Sequence, residues 1–181
     1  HFTIHSFPTR RSSDLGGAQL GAEVGAASAD HLLQATAADA SALAAAGVTP
    51  VFLPGTAFSL GTAYADAEPF TAAGATIAIA SDFNPNCHSS SMGMTLALAC
   101  IGMGLSPRDA LDAATRGGAL ALDRADGVGT LTPGAPADLV VLDAPTHVHI
   151  PYSFGVNRVG TVLKGGTVVH DTERLASGGA R

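Results

Sequence analysis

Two side chains in this sequence stand where a carboxylate and an imidazole could act on a substrate. Asp82 follows the apolar run Ala75-Thr-Ile-Ala-Ile-Ala80. Such a run reads as a strand buried on both faces of a parallel sheet. Asn84-Pro85-Asn86 then turns the chain, and Ser89-Ser90-Ser91 offer N-caps for an apolar helix beginning near Met92. A carboxylate at the carboxyl end of a buried parallel strand, ahead of a turn and a helix start, is where α/β enzymes place their chemistry. The plainer reading is that Asp82 caps the turn. His31 ends a weaker strand, in Ser28-Ala-Asp-His31-Leu. On its own it reads as a structural histidine, and Asp30 beside it as a helix-entry residue.

Other candidates carry less. Cys87 and His88 are adjacent, so their side chains point apart, and no third group orients them as a nucleophile–base pair. His147-Val-His149 would face one way on a strand and could grip a metal. It lies in a late return segment, however, and reads as a surface pair. Met92, Met94 and Met103 read as core filling. No GxGxxG follows a strand, and neither a Walker loop nor a GxSxG elbow occurs.

The elements that must position these residues alternate. A short helix from Ala18 to Glu23 leads into a weak strand, Val24 to Ser28, which is expected to be the edge of the sheet. Thr36 with Asp39 marks a helix start and Gly47 a stop, giving a helix over Ala37 to Ala46. Val48 to Leu53 reads as a strand halted by Pro54-Gly55, and Ala63 to Ala73 as a helix limited by Pro69. The Asp82 strand comes next, then a helix from Met92 to Met103. Another helix, capped by Ser106 with Pro107 at its first position, runs to about Leu122. Strand, helix, strand, helix, strand argues for parallel βα units with right-handed crossovers, an α/β fold. After Asp126 the texture changes to short strands, Asp138 to Leu142, Arg158 to Leu163 and Thr167 to His170, with Lys164-Gly-Gly as a hairpin turn. Residues 1–15 share no pattern with the Ala/Gly-rich body and read as a non-native stub, so His1 and His5 receive no role. Residues 171–181 read as a frayed tail.

Composition narrows the class. Of 181 residues, 46% are hydrophobic and 13% charged, which suits a globular domain with a real core. A net charge of −6 and one lysine, Lys164, leave no basic face for nucleic acid or anionic lipid. Apolar runs are too short to span a membrane. Two cysteines without a CxxC pair suit a reducing cytoplasm.

Ser81-Asp-Phe-Asn-Pro85, with Asp143-Ala-Pro and His149-Ile-Pro-Tyr-Ser-Phe-Gly-Val-Asn157 downstream, resembles the imidazolonepropionase family of the amidohydrolase superfamily, from about Gly16 to about His170. The resemblance implies the last three strand–helix units of a (β/α)8 barrel over 16–126 and a β-sandwich module over 127–170. It implies a hydrolase that opens 4-imidazolone-5-propanoate to N-formimidoyl-L-glutamate with one Zn or Fe ion. Asp82 matches the residue that binds the metal and moves protons. His31 matches a histidine that meets the substrate carbonyl or the attacking water. Asn84, Asn86 and Cys87 match the substrate loop, although Asn86 stands where the common pattern has Gly and Cys87 where it has Ser or Thr. The implied His-x-His, a further His and a Glu would precede Gly16, so the chain reads as a C-terminal portion, inert as given. A small-molecule substrate is expected, with a homodimer allowed at full length. The alternatives are another cyclic amidohydrolase or deaminase, or a non-catalytic half-barrel scaffold.

Overall fold

Short apolar runs punctuated by Pro and Gly become a four-stranded parallel sheet in the computed structural model, which describes residues 3–5 and 16–172. The expectations for the rest of 1–15 and for 173–181 lie outside the described residues. In order across the sheet stand β1 (Thr3–His5), β2 (Ser28–Asp30), β3 (Thr49–Phe52) and β4 (Ala78–Ile79). The sequence offers no strand in 1–15, yet Thr3–His5 pairs in register with Ser28–Asp30. The expected edge strand is therefore interior, because three residues of extended backbone suffice to satisfy its outer hydrogen-bonding groups. Strand β2 also begins later than expected, at Ser28, and β4 keeps only two residues of the Ala75 to Ala80 run.

Helix starts follow their caps. In α2 (Ala37–Ala46), after α1 (Gly17–Glu23), alanine on nearly every face erases any clear apolar period, and the ends are set chemically. The Asp39 N–H donates to Thr36 Oγ1 at 3.3 Å, while the Asp39 carboxylate accepts from the Thr36 N–H at 2.8 Å and from Gln19 at 2.9 Å. Burial pulls the Asp39 pKa upward, but hydrogen bonds to its carboxylate from the Thr36 N–H, the Thr36 hydroxyl and Gln19 outweigh it and hold the carboxyl below its usual range. Gly47, with φ 69°, ends the helix in a left-handed turn.

Pro54 stops β3 as expected, yet it also opens α3 (Pro54–Leu60), since proline at a first helical position lacks only an N–H that would be unpaired there anyway. The helix expected over Ala63 to Ala73 contracts to α4 (Glu68–Ala72), with Pro69 in its first turn. Helix α5 (Met92–Met103) spans its expected residues, with Ser91 Oγ accepting from the Met94 N–H at 3.2 Å. Ser106 likewise caps α6 (Pro107–Asp112), which runs through a π-helical turn, Ala113–Gly117, into α7 (Gly118–Ala121).

Between sheet and helices, Phe52 and Phe70 meet edge-to-face at 5.3 Å, and both are fully buried with Leu43. Burying side chains of this size stabilises the fold by about 1.5–3 kcal/mol each. Fully buried Ala40, Ala99 and Ala110 let helices approach the sheet closely. Separately, β5 (Leu139–Leu142), β6 (Val159–Lys164) and β7 (Thr167–Asp171) form an antiparallel sheet, its last hairpin turning at Gly165-Gly166 with φ 55° and 78°. Between β5 and β6 a short helix, α8 (His149–Tyr152), packs on α5.

Candidate functional site

Three consecutive parallel strands each deliver one polar side chain beyond their carboxyl ends. His31 follows β2, Thr56 lies in the helix after β3, and Asp82 follows β4. Strands β2 and β4 are separated by β3, so their axes stand roughly 9.6 Å apart at the usual strand spacing. The side chains must lean inward over β3 to meet, and they do. His31 Nε2 lies 3.9 Å from Asp82 Oδ2, and the Thr56 hydroxyl donates to the same oxygen at 2.5 Å.

The backbone makes that lean. The His31 N–H donates to Val51 O at 2.9 Å, the last rung between β2 and β3. The chain then turns left-handed at His31 (φ 68°) and Leu32 (φ 53°), and again at Asp82 (φ 51°). Asp and His visit this region more readily than most residues, whereas Leu does so at a cost. Leu32 is held there by burial at 5% exposure. Strained backbone of this kind clusters at functional sites. His31, itself buried, also borders a small cavity with Phe52, Leu53, Pro54, Ala57 and Met103.

The loop after Asp82 is tied largely to itself. Asn84 Nδ2 donates to the Asp82 carbonyl at 2.6 Å, and Asn84 Oδ1 accepts from the N–H groups of Asn86 (2.8 Å) and Cys87 (3.2 Å). Its amide is thus committed to the turn. Asn86 is exposed, while Cys87 is buried with its thiol 3.6 Å from Ser81 O. Gly55 packs beneath: a Cβ there would stand 3.2 Å from Cys87 Sγ and 3.3 Å from Ser81 O. The loops after β3 and β4 therefore interlock under the Asp82 carboxylate. His88 lies beside Phe83, with ring centroids 4.6 Å apart.

The fold brings His31 and Asp82 together; Asn84, Asn86 and Cys87 shape the adjoining loop. Thr56 is unmarked in the sequence, because Pro54-Gly55 signals a stop before it signals a helix start; proline's preference for a first helical position points to the helix but not to the contact with Asp82. His147 and His149 lie at the entry to α8 and not on a strand, with His149 Nδ1 3.2 Å from Thr146 Oγ1. Burial raises the Cys100 thiol pKa, which disfavours the nucleophilic thiolate.

The sequence profile described as the amidohydrolase family matches residues 6–169. The chain belongs to the amidohydrolase family. Among curated members, the imidazolonepropionase of Haloarcula marismortui is 64% identical over 155 residues, covering 86% of this chain and 37% of that protein. The imidazolonepropionase of Halobacterium salinarum is 58% identical over 160 residues, covering 85% and 38%. This amidohydrolase chain thus spans little more than a third of the length of those relatives. Among solved structures, a zinc-bound adenosine deaminase from Xanthomonas campestris superposes with a TM-score of 0.78 at 24% identity, covering 97% of this chain and 48% of that one. At that identity the match speaks for the fold, the α/β architecture of amidohydrolases.

A carboxylate oxygen such as those of Asp82 is suitable donor chemistry for Zn or Fe. Among the described residues, however, no three His, Cys, Asp or Glu side chains are grouped to hold a metal ion. Asp82 fits part of such a centre, not all of it. Among the described residues no helix is long and apolar enough to cross a membrane.

Proposed function

We propose that this chain supplies the last strand–helix units of a (β/α)8 barrel and the adjoining β-sandwich module of an imidazolonepropionase, acting in histidine breakdown. The carrying observation is the approach of His31 Nε2 to Asp82 Oδ2, 3.9 Å apart beyond the ends of β2 and β4, in a chain 64% identical to an enzyme of that name. Carboxyl ends of parallel strands are where barrels of this kind keep their chemistry.

In the proposed reaction, water adds to the ring carbonyl carbon of 4-imidazolone-5-propanoate and the bond from that carbon to ring nitrogen breaks, giving N-formimidoyl-L-glutamate. Asp82 would hold a Zn or Fe ion through its carboxylate, with the remaining ligands supplied by chain outside the described residues. When bound, that ion supplies Lewis-acid assistance to the attack of water on the carbonyl. The Asp82 carboxylate takes the proton of the attacking water and returns it to the departing ring nitrogen. His31 hydrogen-bonds the carbonyl oxygen as negative charge builds on it. The Asn84–Cys87 loop closes over the substrate. Because the Asn84 amide is spent on the turn and the Cys87 thiol is covered, the loop contributes through backbone groups.

The test is turnover by the longer protein carrying this segment. Imidazolone propanoate should be consumed in preference to dihydroorotate, hydantoin and guanine, followed by loss of the imidazolone absorbance. Preference for any of the other rings would overturn the proposal.

A further inference from the structure

We propose that Thr56 is a positioning residue, whose hydroxyl fixes the Asp82 carboxylate in one rotamer by taking up Oδ2 and leaving Oδ1 for the reaction. This rests on the proposed role of Asp82. Two groups approach Asp82 Oδ2, and distance separates them. The Thr56 hydroxyl is at 2.5 Å, the length of a charge-assisted O–H···O⁻ bond, whereas His31 Nε2 at 3.9 Å is beyond hydrogen-bonding reach. Thr56, not His31, therefore sets the carboxylate's orientation. Among the described residues Oδ1 accepts no hydrogen bond, and the Asp82 side chain keeps 25% exposure.

Thr56 is well placed to hold a neighbour still. It is 4% exposed and its N–H donates to Leu53 O at 3.2 Å. It stands two residues after Pro54, whose ring fixes the backbone at the first position of α3. A β-branched side chain in a helix has few χ1 choices, and the hydroxyl inherits that stiffness. Asp82, by contrast, sits on a left-handed turn at a strand end, where its short side chain needs an external anchor.

Packing and hydrogen bonding make opposite demands on Thr56, and that separates the proposal from a purely structural role. Valine keeps the shape and loses the hydroxyl; serine keeps the hydroxyl and loses the methyl. In the metal-loaded full-length protein, Thr56→Val should lower kcat about 10–100-fold, with a comparable loss of metal retention during dialysis against a chelator, as for other groups that orient a metal-binding side chain. KM should stay within about threefold, and Thr56→Ser within about threefold of the parent in both readouts. Should the valine variant not fold, Thr56→Ala takes its place in the comparison with serine. A valine variant equal to the parent, or a serine variant that falls as far as valine, would overturn the assignment. If the loaded parent leaves imidazolone propanoate untouched, the functional proposal fails, and the order of metal retention between valine and serine still decides the role of Thr56.

Discussion

His31 and Asp82 face each other across β3 from two left-handed turns, at φ 68° and 51°, with Nε2 and Oδ2 3.9 Å apart. The shared backbone conformation matters for any substitution. Alanine would add backbone strain of about 1 kcal/mol to the loss of the functional group, while asparagine tolerates the left-handed region.

Asparagine is therefore the informative replacement at both positions. In the full-length protein, His31→Asn and Asp82→Asn should each lower kcat about 10²–10⁴-fold, the usual contribution of a positioned proton-transfer or hydrogen-bonding group. Their thermal midpoints should stay close to the parent's. Wild-type turnover in either variant would remove that residue from the proposed chemistry.

A second expectation concerns the chain alone. A catalytic zinc site usually takes three protein ligands and an open position. The described residues offer no such group of three, and Ile101, Leu122 and Leu131 are 73%, 76% and 85% exposed. Large apolar side chains left this exposed would gain from being covered. The 181-residue chain should hold well under one equivalent of metal after dialysis and show no turnover. Stoichiometric metal with activity in this chain alone would show that its own residues complete the site.

What could be read from the sequence follows the range of the interaction. Thr36, Ser91 and Ser106 announce their helices because a cap acts over three residues, and all three accept the expected N–H. His31 and Asp82 announce themselves as strand-end residues, and the resemblance gives them roles. Their mutual distance depends on strand order, which no local pattern encodes. Thr56 is hidden for the same reason: its partner is 26 residues away. The trimming of β4 to two residues and the π-helical turn are likewise tertiary, since Gly117 of that turn lies against the carbonyl of Ile77.

That close approach gives a contrast between neighbours. A Cβ on Gly117 would fall 2.1 Å from Ile77 O, a backbone atom that cannot swing aside, whereas a Cβ on Gly118 meets nothing within 4 Å. Gly117→Ala should destabilise the protein by about 3 kcal/mol or more, as overpacking against backbone does. Gly118→Ala, in a helical backbone, should be neutral or stabilising by about 0.5–1 kcal/mol. Denaturant midpoints of the two variants measure the difference, and equal midpoints would mean that the π-turn does not rest on β4 as described.

Asp138 ties the last hairpin to the first strand of the antiparallel sheet. Its Oδ1 accepts from the Gly165 N–H at 2.9 Å, and its Oδ2 pairs with Lys164 Nζ. The hydrogen bond from Lys164, then that from Gly165, hold the Asp138 pKa below the ordinary carboxylate value, against a weaker opposing effect of burial. A carboxyl whose folded pKa is depressed favours folding when ionised. Its contribution is complete above the unfolded value, about 3.9, and fades as pH falls through the folded value. Asp138→Asn should therefore lower stability at neutral pH and converge on the parent in strong acid. Because the pair is solvent-facing, the gap at neutral pH should narrow as salt is added. Asp39 and Asp126 are also depressed and add acid sensitivity of the same sign, so the quantity to follow is the difference between parent and variant. Denaturation midpoints of the full-length protein from about pH 2 to 7 supply it. A difference that does not shrink towards acid would mean that the charge of Asp138 is not what stabilises the hairpin.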